Sequence, residues 1–309
     1  MNKDTRILTR PLVVCGIALL CCTLWGSAFP SIKIGYRLFS IQGEDTMSQM
    51  LFAGYRFTLA GILVILIGSF FKKKFLWPKK SSWFMVVKLG CVQTIFQYVF
   101  FYTGLAHTTG VKSSIITASN VFFAIFLSAA VFREKLSAGK LLGCLAGFAG
   151  VVLINVAGGG AGDTGLSLAG EGAMLVSAFA SAFSSVMIKR YSGHEDTFTL
   201  CGYQFFFGGI VLAMIGLACG GRVTGFTGPS TLLLVYMGLI SAVAYSLWSV
   251  LLKYNPVGKV AIFGFSNPVI GVILSAILLG EKNQAFTLQG LLALLLVCIG
   301  IFTVNYSKE

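Results

Sequence analysis

Residues 119–143 read SNVFFAIFLSAAVFREKLSAGKLLG, and residues 266–290 read SNPVIGVILSAILLGEKNQAFTLQG. Laid over one another without a gap, at an offset of 147, they place Ser119-Asn120 on Ser266-Asn267, Glu134-Lys135 on Glu281-Lys282 and Gly143 on Gly290. Further along, Gly150 and Asn155 meet Gly300 and Asn305 at an offset of 150, and Ser27-Ala28-Phe29 recurs as Ser181-Ala182-Phe183. Apolar helical strings align easily by chance, so the weight rests on the shared Asn and the Glu-Lys pair in one register. The offset is close to half of the 309 residues, and the chain reads as a duplication.

Composition sets the solvent in which the two halves fold. Apolar residues make up 56% of the chain and charged residues 11%, against roughly a quarter charged in soluble domains. Mean hydropathy is +0.87. So few charges cannot hydrate the surface of a chain this long, and lipid must cover the rest. A helix needs about 20 residues to cross the hydrocarbon core. Apolar runs of that kind lie at 12–34, 48–71, 82–105, 111–132, 138–156, 169–189, 198–219, 230–252, 258–279 and 285–305, which predicts ten spans.

With the N-terminus cytoplasmic, sixteen Lys and Arg fall in inside segments, among them Arg10, Lys72–Lys74, Lys189 and Lys253. Five fall outside: Lys33, Arg37, Lys112, Arg222 and Lys282. The bias puts both termini in the cytoplasm. Trp77 and Trp83 flank the basic second loop, where interfacial aromatics belong. Each half holds five helices, an odd number, so the halves insert with opposite orientation. Inverted repeats of this kind suit alternating access, with a site near the midplane between them. The expected architecture is an all-α integral membrane protein of ten transmembrane helices, with a first repeat at 1–156, a linker at 157–168 and a second repeat at 169–309.

Other classes recede. The net charge of +13 lies in short loops rather than on one face, so nucleic acid is not an expected partner. The eight cysteines sit within or beside apolar segments without a CxxC or Cys/His cluster, and no metal or cofactor is expected. Gly158–Gly160 with Gly162 follows a membrane helix and carries no Lys, so it reads as a flexible linker rather than a phosphate cradle. The first apolar run continues past Gly26-Ser27-Ala28 to Ile34 and reads as a retained anchor helix rather than a cleaved signal.

Trp25-Gly26-Ser27-Ala28-Phe29 leading to Lys33, Tyr55-Arg56-Phe57, the two Glu-Lys pairs and Lys189-Arg190 together resemble the drug/metabolite transporter superfamily, in its EamA-type ten-helix members. The resemblance covers essentially the whole chain. It implies a basket-like bundle in a bacterial-type inner (plasma) membrane, with a central cavity lined by helices 1, 3, 4, 6, 8 and 9. One departure stands out: such proteins commonly carry proline in both helices 4 and 9, whereas here Pro268 is matched by Val121.

Polar side chains at membrane depth mark a transport path. Gln93 and Gln97 share a face of helix 3 with Tyr98 on its flank. Helix 4 offers Ser113, Thr117 and Asn120, helix 6 Ser177, Ser181, Ser184 and Ser185, helix 8 Ser241, Tyr245, Trp248 and Ser249, and helix 9 Ser266 and Asn267. The expected substrate-binding set is Trp25, Gln93, Gln97, Tyr98, Asn120, Ser181, Tyr245, Trp248 and Asn267. Each has a blander reading beside it: serines pack helices, amides pair with one another across the bundle, and rings fill a core. Lys33, Pro30 and Pro268 are candidate gating residues. Gly139, Gly143 and Gly147 form a close-packing seam in helix 5.

Arg56 has two readings, a counter-charge for an anionic substrate or a side chain that snorkels or caps a neighbour's carbonyls. The second is the expected one, and Lys88 is expected to snorkel. No Asp or Glu sits in a helix middle and no catalytic constellation exists, so the chain is not expected to be an enzyme. The function expected is transport of a small polar, amino-acid-like metabolite, with export drawn from the resemblance. Multidrug efflux, or a channel or scaffold, is the alternative.

Overall fold

The computed structural model describes residues 7–132, 137–157, 167–257, 260, 262–281 and 287–306. Glu134, Lys135, Lys282 and the Gly158–Asp163 linker lie outside the described residues, as do the side chains of Asn155 and Asn305. Helix occupies each of the ten apolar runs: α1 Pro11–Leu38, α2 Thr46–Lys72, α3 Lys80–His107, α4 Gly110–Phe132, α5 Ala138–Ala157, α6 Leu168–Tyr191, α7 Thr197–Ala218, α8 Gly228–Tyr254, α9 Ser266–Leu278 and α10 Leu288–Tyr306. Among the described residues, α1–α4 and α6–α8 are long and apolar enough to cross a membrane. Shorter apolar stretches, Leu141–Gly150, Ser266–Leu278 and Leu288–Gly300, lie in α5, α9 and α10.

The helix starts are written in short polar residues that satisfy orphan backbone N–H groups. Asp45 accepts from Ser48 N at 3.0 Å, and Asp196 accepts from Phe198 N and Thr199 N at 3.1 and 3.3 Å. Thr109, Ser167 and Thr287 do the same for α4, α6 and α10, and Thr227 with Ser230 forms a reciprocal capping box on α8.

Helix pairing follows a regular scheme. α2 packs on α7 and α5 on α10; α1 lies against α8 and α9, α6 against α3 and α4, α2 against α8, and α7 against α3. The α2–α7 contact is at backbone distance. A Cβ on Gly54 would stand 2.4 Å from Ala213 N, one on Gly61 2.4 Å from Phe206 N, and one on Gly209 2.3 Å from Thr58 N. The pairs run in opposite senses, so the two helices are antiparallel. The α5 seam expected from its glycines is present at Gly147, against Phe122, and at Gly150, against Ala293 and Val297. Outward, side chains such as Leu12, Phe70, Leu142, Leu232 and Leu288 stand exposed, an apolar jacket that water does not tolerate.

Two interruptions fall at matched places. α4 is broken for one residue at Ala118, where Ala118 N bonds Ile115 O and Val121 N bonds Ala118 O, both at 3.1 Å. α9 begins at Ser266 after a 3₁₀ turn over Ile262–Phe265. Ala118 and Phe265 are 147 positions apart. Within the apolar run 258–279, α9 itself starts at Ser266, so Pro268 stands near its beginning. Pro268 is the third residue of α9, where a missing N–H costs little, and its carbonyl accepts from Ser114 Oγ at 3.1 Å. The break in α4 occurs without a proline. α1, by contrast, runs unbroken through Pro30.

Candidate functional site

A partly open cavity lies inside the bundle. Helices α1, α3, α4, α6, α8 and α9 line it, the six the resemblance implied, and α2 adds Arg56. Trp25, Gln93, Gln97, Tyr98, Asn120, Ser181, Tyr245, Trp248 and Asn267 all border this one space. Thr117, Ser177 and Ser185 join them, while Ser113, Ser184, Ser249 and Ser266 are buried away from it.

The wall is aromatic on one side. Trp25 meets Tyr245 and Trp248 edge-on, with ring centroids 5.1 and 5.0 Å apart, and Tyr245 packs against Phe205 at 5.0 Å. The hydroxyls of Tyr98 and Tyr245 hydrogen-bond, joining α3 to α8. The opposite character comes from amides. Gln93 lies in a π-helical stretch of α3, Gly90–Phe96, whose wider turn keeps Gln93 and Gln97 on one side. Gln93 Oε1 accepts from Gln204 Nε2 at 2.6 Å, and Gln204 Oε1 accepts from Thr94 Oγ1 at 3.1 Å. Gln93 is thus held by a partner. Among the described residues, Gln97 Oε1, Asn267 Oδ1 and Trp25 Nε1 are buried without one. An unpaired buried polar atom is costly, and the residues carrying these three all border the cavity.

Arg56 is 1% exposed and does not snorkel, which corrects that part of the sequence reading. The other part holds, since Arg56 Nε donates to Met237 O at 3.3 Å and to Ser241 Oγ at 3.1 Å, while Nη1 donates to Tyr102 OH at 3.1 Å. Arg56 also borders the cavity. Lys88 lies over the Phe84 ring at 4.2 Å.

Beyond Arg56 lies a cluster of polar contacts, proposed below as a latch. Lys33 Nζ donates to Thr108 O at 2.7 Å, and Glu171 accepts from Thr108 Oγ1 at 3.1 Å and pairs with Lys112 at 3.3 Å. Glu281 accepts from Gly110 N and Val111 N at 3.2 and 3.0 Å, an anion at the N-terminus of α4. Lys33 alone of this latch was among the gating candidates. At the other end, Lys189 Nζ donates to Leu252 O and Asn255 O, each at 2.8 Å. There the cavity reaches Leu252, Val257 and Gly264.

A sequence model of the EamA-like transporter family matches residues 12–156 and again 168–306. The chain belongs to that family. Within it, this EamA-type chain is 28% identical to an uncharacterized transporter of Archaeoglobus fulgidus, over 94% of each protein. It is 24% identical to a probable amino-acid metabolite efflux pump of Escherichia coli K12, over 94% of this chain and 96% of that one. It is also 24% identical to a probable terminal-alkyne amino-acid exporter of Streptantibioticus cattleyicolor, over 88 and 87%. A solved crystal structure shares its fold, with a TM-score of 0.67 at 19% identity over 95% of both chains. The EamA-type protein is therefore a multi-pass membrane transporter of the drug/metabolite superfamily and not an enzyme; its partners are the bilayer and a small molecule.

Proposed function

We propose that the protein is a secondary carrier that exports a small polar, amino-acid-like metabolite across a bacterial-type inner membrane by alternating access. The observation that carries this reading is the central cavity, where three buried polar atoms without partners stand beside an aromatic wall. Such a mix of apolar surface and a few convergent polar groups suits a small organic ligand. The names of the Escherichia coli and Streptantibioticus relatives favour amino-acid chemistry and export.

The mechanism rests on ten spans in two inverted repeats. Helix adjacency supports the repeats: shifting each helix by five turns α1–α9 into α6–α4, α1–α8 into α6–α3 and α2–α8 into α7–α3, while α2–α7 and α5–α10 map onto themselves. The end tethers follow the same rule, because Thr108 O and Asn255 O, held by Lys33 and Lys189, are 147 positions apart. With Lys and Arg concentrated at the end where Lys189 lies, that end is cytoplasmic, and the cavity described here faces inward. Rocking of the repeats would open the latch of Lys33, Glu171 and Glu281 while closing the cytoplasmic mouth.

Counterflow in proteoliposomes tests the reading. Loaded with an unlabelled amino-acid mixture, vesicles should take up a labelled member faster than empty ones, and Asn267→Leu should abolish the stimulation at normal folded yield. Uptake that neither saturates nor responds to the internal pool would indicate a channel. A response to lipophilic cations instead of amino acids would indicate multidrug efflux.

A further inference from the structure

Arg56 is a full positive charge near the middle of the bundle, and among the described residues no carboxylate pairs with it. The ion pairs found there are Lys72 with Asp196 and Lys112 with Glu171, both near helix ends. Neutral groups satisfy Nε and Nη1, and Nη2 has no hydrogen-bond partner among the described residues. Its three bonds tie α2 to α3 and α8, so the guanidinium is held rigidly rather than free to reach a membrane interface. A charge buried at this depth is retained at a cost, and in membrane proteins such charges face a pathway and meet a counter-ion.

The cavity supplies the place for that counter-ion. Arg56 borders it at the latch end, because Ser241, its partner on α8, is eleven residues before Leu252, or about 16 Å along the helix axis from the other end. Gln97 stands on α3 five residues before Tyr102, the residue bonded to Nη1, which is about 7.5 Å along the axis. Its Oε1 is an acceptor without a donor. Trp25, Tyr245 and Trp248 offer ring surface beyond it.

We infer that Arg56 is the specificity-determining anchor for a carboxylate on the transported molecule, with Gln97 Oε1 accepting from its ammonium group and the aromatic wall taking its side chain. The substrate class is then a zwitterionic amino acid or close analogue, and the matching amine without the carboxylate is excluded. The planar fork of arginine, with one nitrogen left open, suits an oxyanion better than lysine would. This deepens the carrier reading and rests on it.

The test is thermal stability of the purified full-length protein with ligand present, which needs no transport. The probes are branched-chain and aromatic L-amino acids, their decarboxylated amines and their methyl esters, at matched millimolar concentrations. The amino acids should raise Tm by a few degrees, increasingly with concentration, and the amines and esters should not. Arg56→Gln should remove the shift, and Arg56→Lys should weaken apparent affinity at least tenfold. Should Arg56→Gln fail to fold, the comparison of acids with amines on the wild-type protein still decides. Equal shifts by acids and amines, no shift by any probe, or a shift that survives Arg56→Gln would overturn the assignment. Counterflow of a neutral compound alongside any of those results would leave the carrier standing and remove only the anion anchor.

Discussion

The hydroxyls of Tyr98 and Tyr245 hydrogen-bond across the cavity wall, and the two residues stand 147 positions apart, the spacing that lays 119–143 on 266–290. Equivalent residues of two halves related by a twofold can touch each other only beside the axis. In the two-repeat reading the axis therefore passes between these tyrosines, which puts Gln97, Trp25 and Tyr245 next to it. Phe57 against Tyr98, at 4.2 Å, and Phe205 against Tyr245, at 5.0 Å, brace the pair from α2 and α7.

A bond on the axis serves both repeats, so the two hydroxyls should matter equally. Tyr98→Phe and Tyr245→Phe should each slow counterflow about fivefold, the value of one hydrogen bond of roughly 1 kcal/mol, and the double variant should be no worse than either. A double variant whose defects multiply would show that the hydroxyls act separately.

The latch should bias which end opens. Glu281→Gln leaves the α4 N-terminus with a neutral partner in place of an anion, a loss on the order of 1 kcal/mol. In a background lacking reactive cysteines, Ala28→Cys lines the cavity and reports access. Its labelling by an impermeant maleimide from the Lys33 side should rise about fivefold in Glu281→Gln. No change would detach the latch from the access equilibrium.

Backbone contact between α2 and α7 leaves no room at Gly209, so Gly209→Val should cost several kcal/mol, about 3 or more, and give little folded protein by size-exclusion chromatography. Gly220→Ala, at a site with open space but φ +86°, should cost only about 1 kcal/mol. Similar yields from both would mean that the two helices have slack.

Glu195, in the connection between α6 and α7, gives a pH signature. Burial raises its carboxyl pKa, but backbone N–H groups of Lys79 and Asp196, with Ser82 and the Lys79 charge, outweigh that and hold it below the ordinary 4.5. A depressed folded value means the stabilisation is full above the unfolded value and is lost as the pH falls through the folded one. The Tm difference between wild type and Glu195→Gln should therefore be constant near neutrality and shrink below about pH 4.5. A difference that grows in acid would reverse the sign.

Much of this architecture was legible in advance. The ten apolar runs and the polar residues on helical faces led to the cavity, because burying amides inside lipid is costly enough to leave a mark in the sequence. For Arg56 the capping reading holds and the snorkelling one fails; its partners, Tyr102, Met237 and Ser241, are contributed by helices remote in sequence, and nothing local distinguishes a tethered arginine from one that snorkels. Gln204 was overlooked because its value lies in Gln93, another long-range pairing. The α2–α7 contact did leave a signal, glycines every seventh residue at 54, 61 and 68 and at 202, 209 and 216, weaker to the eye than the four-residue spacing in α5. Pro268 falls in the middle of the apolar run 258–279 yet near the start of α9, because hydropathy does not separate the apolar 3₁₀ turn at Ile262–Phe265 from the helix it precedes.

The central claim is that a metabolite crosses through this cavity, and it is tested most directly by profiling the metabolites of cells and spent medium. Three strains suffice: one producing the wild-type protein, one producing Asn267→Leu at equal membrane abundance, and one producing neither. The account predicts that amino-acid-like compounds accumulate in the medium of the wild-type strain alone. Equal accumulation in the Asn267→Leu strain, or a rise confined to the interior of wild-type cells, would contradict it.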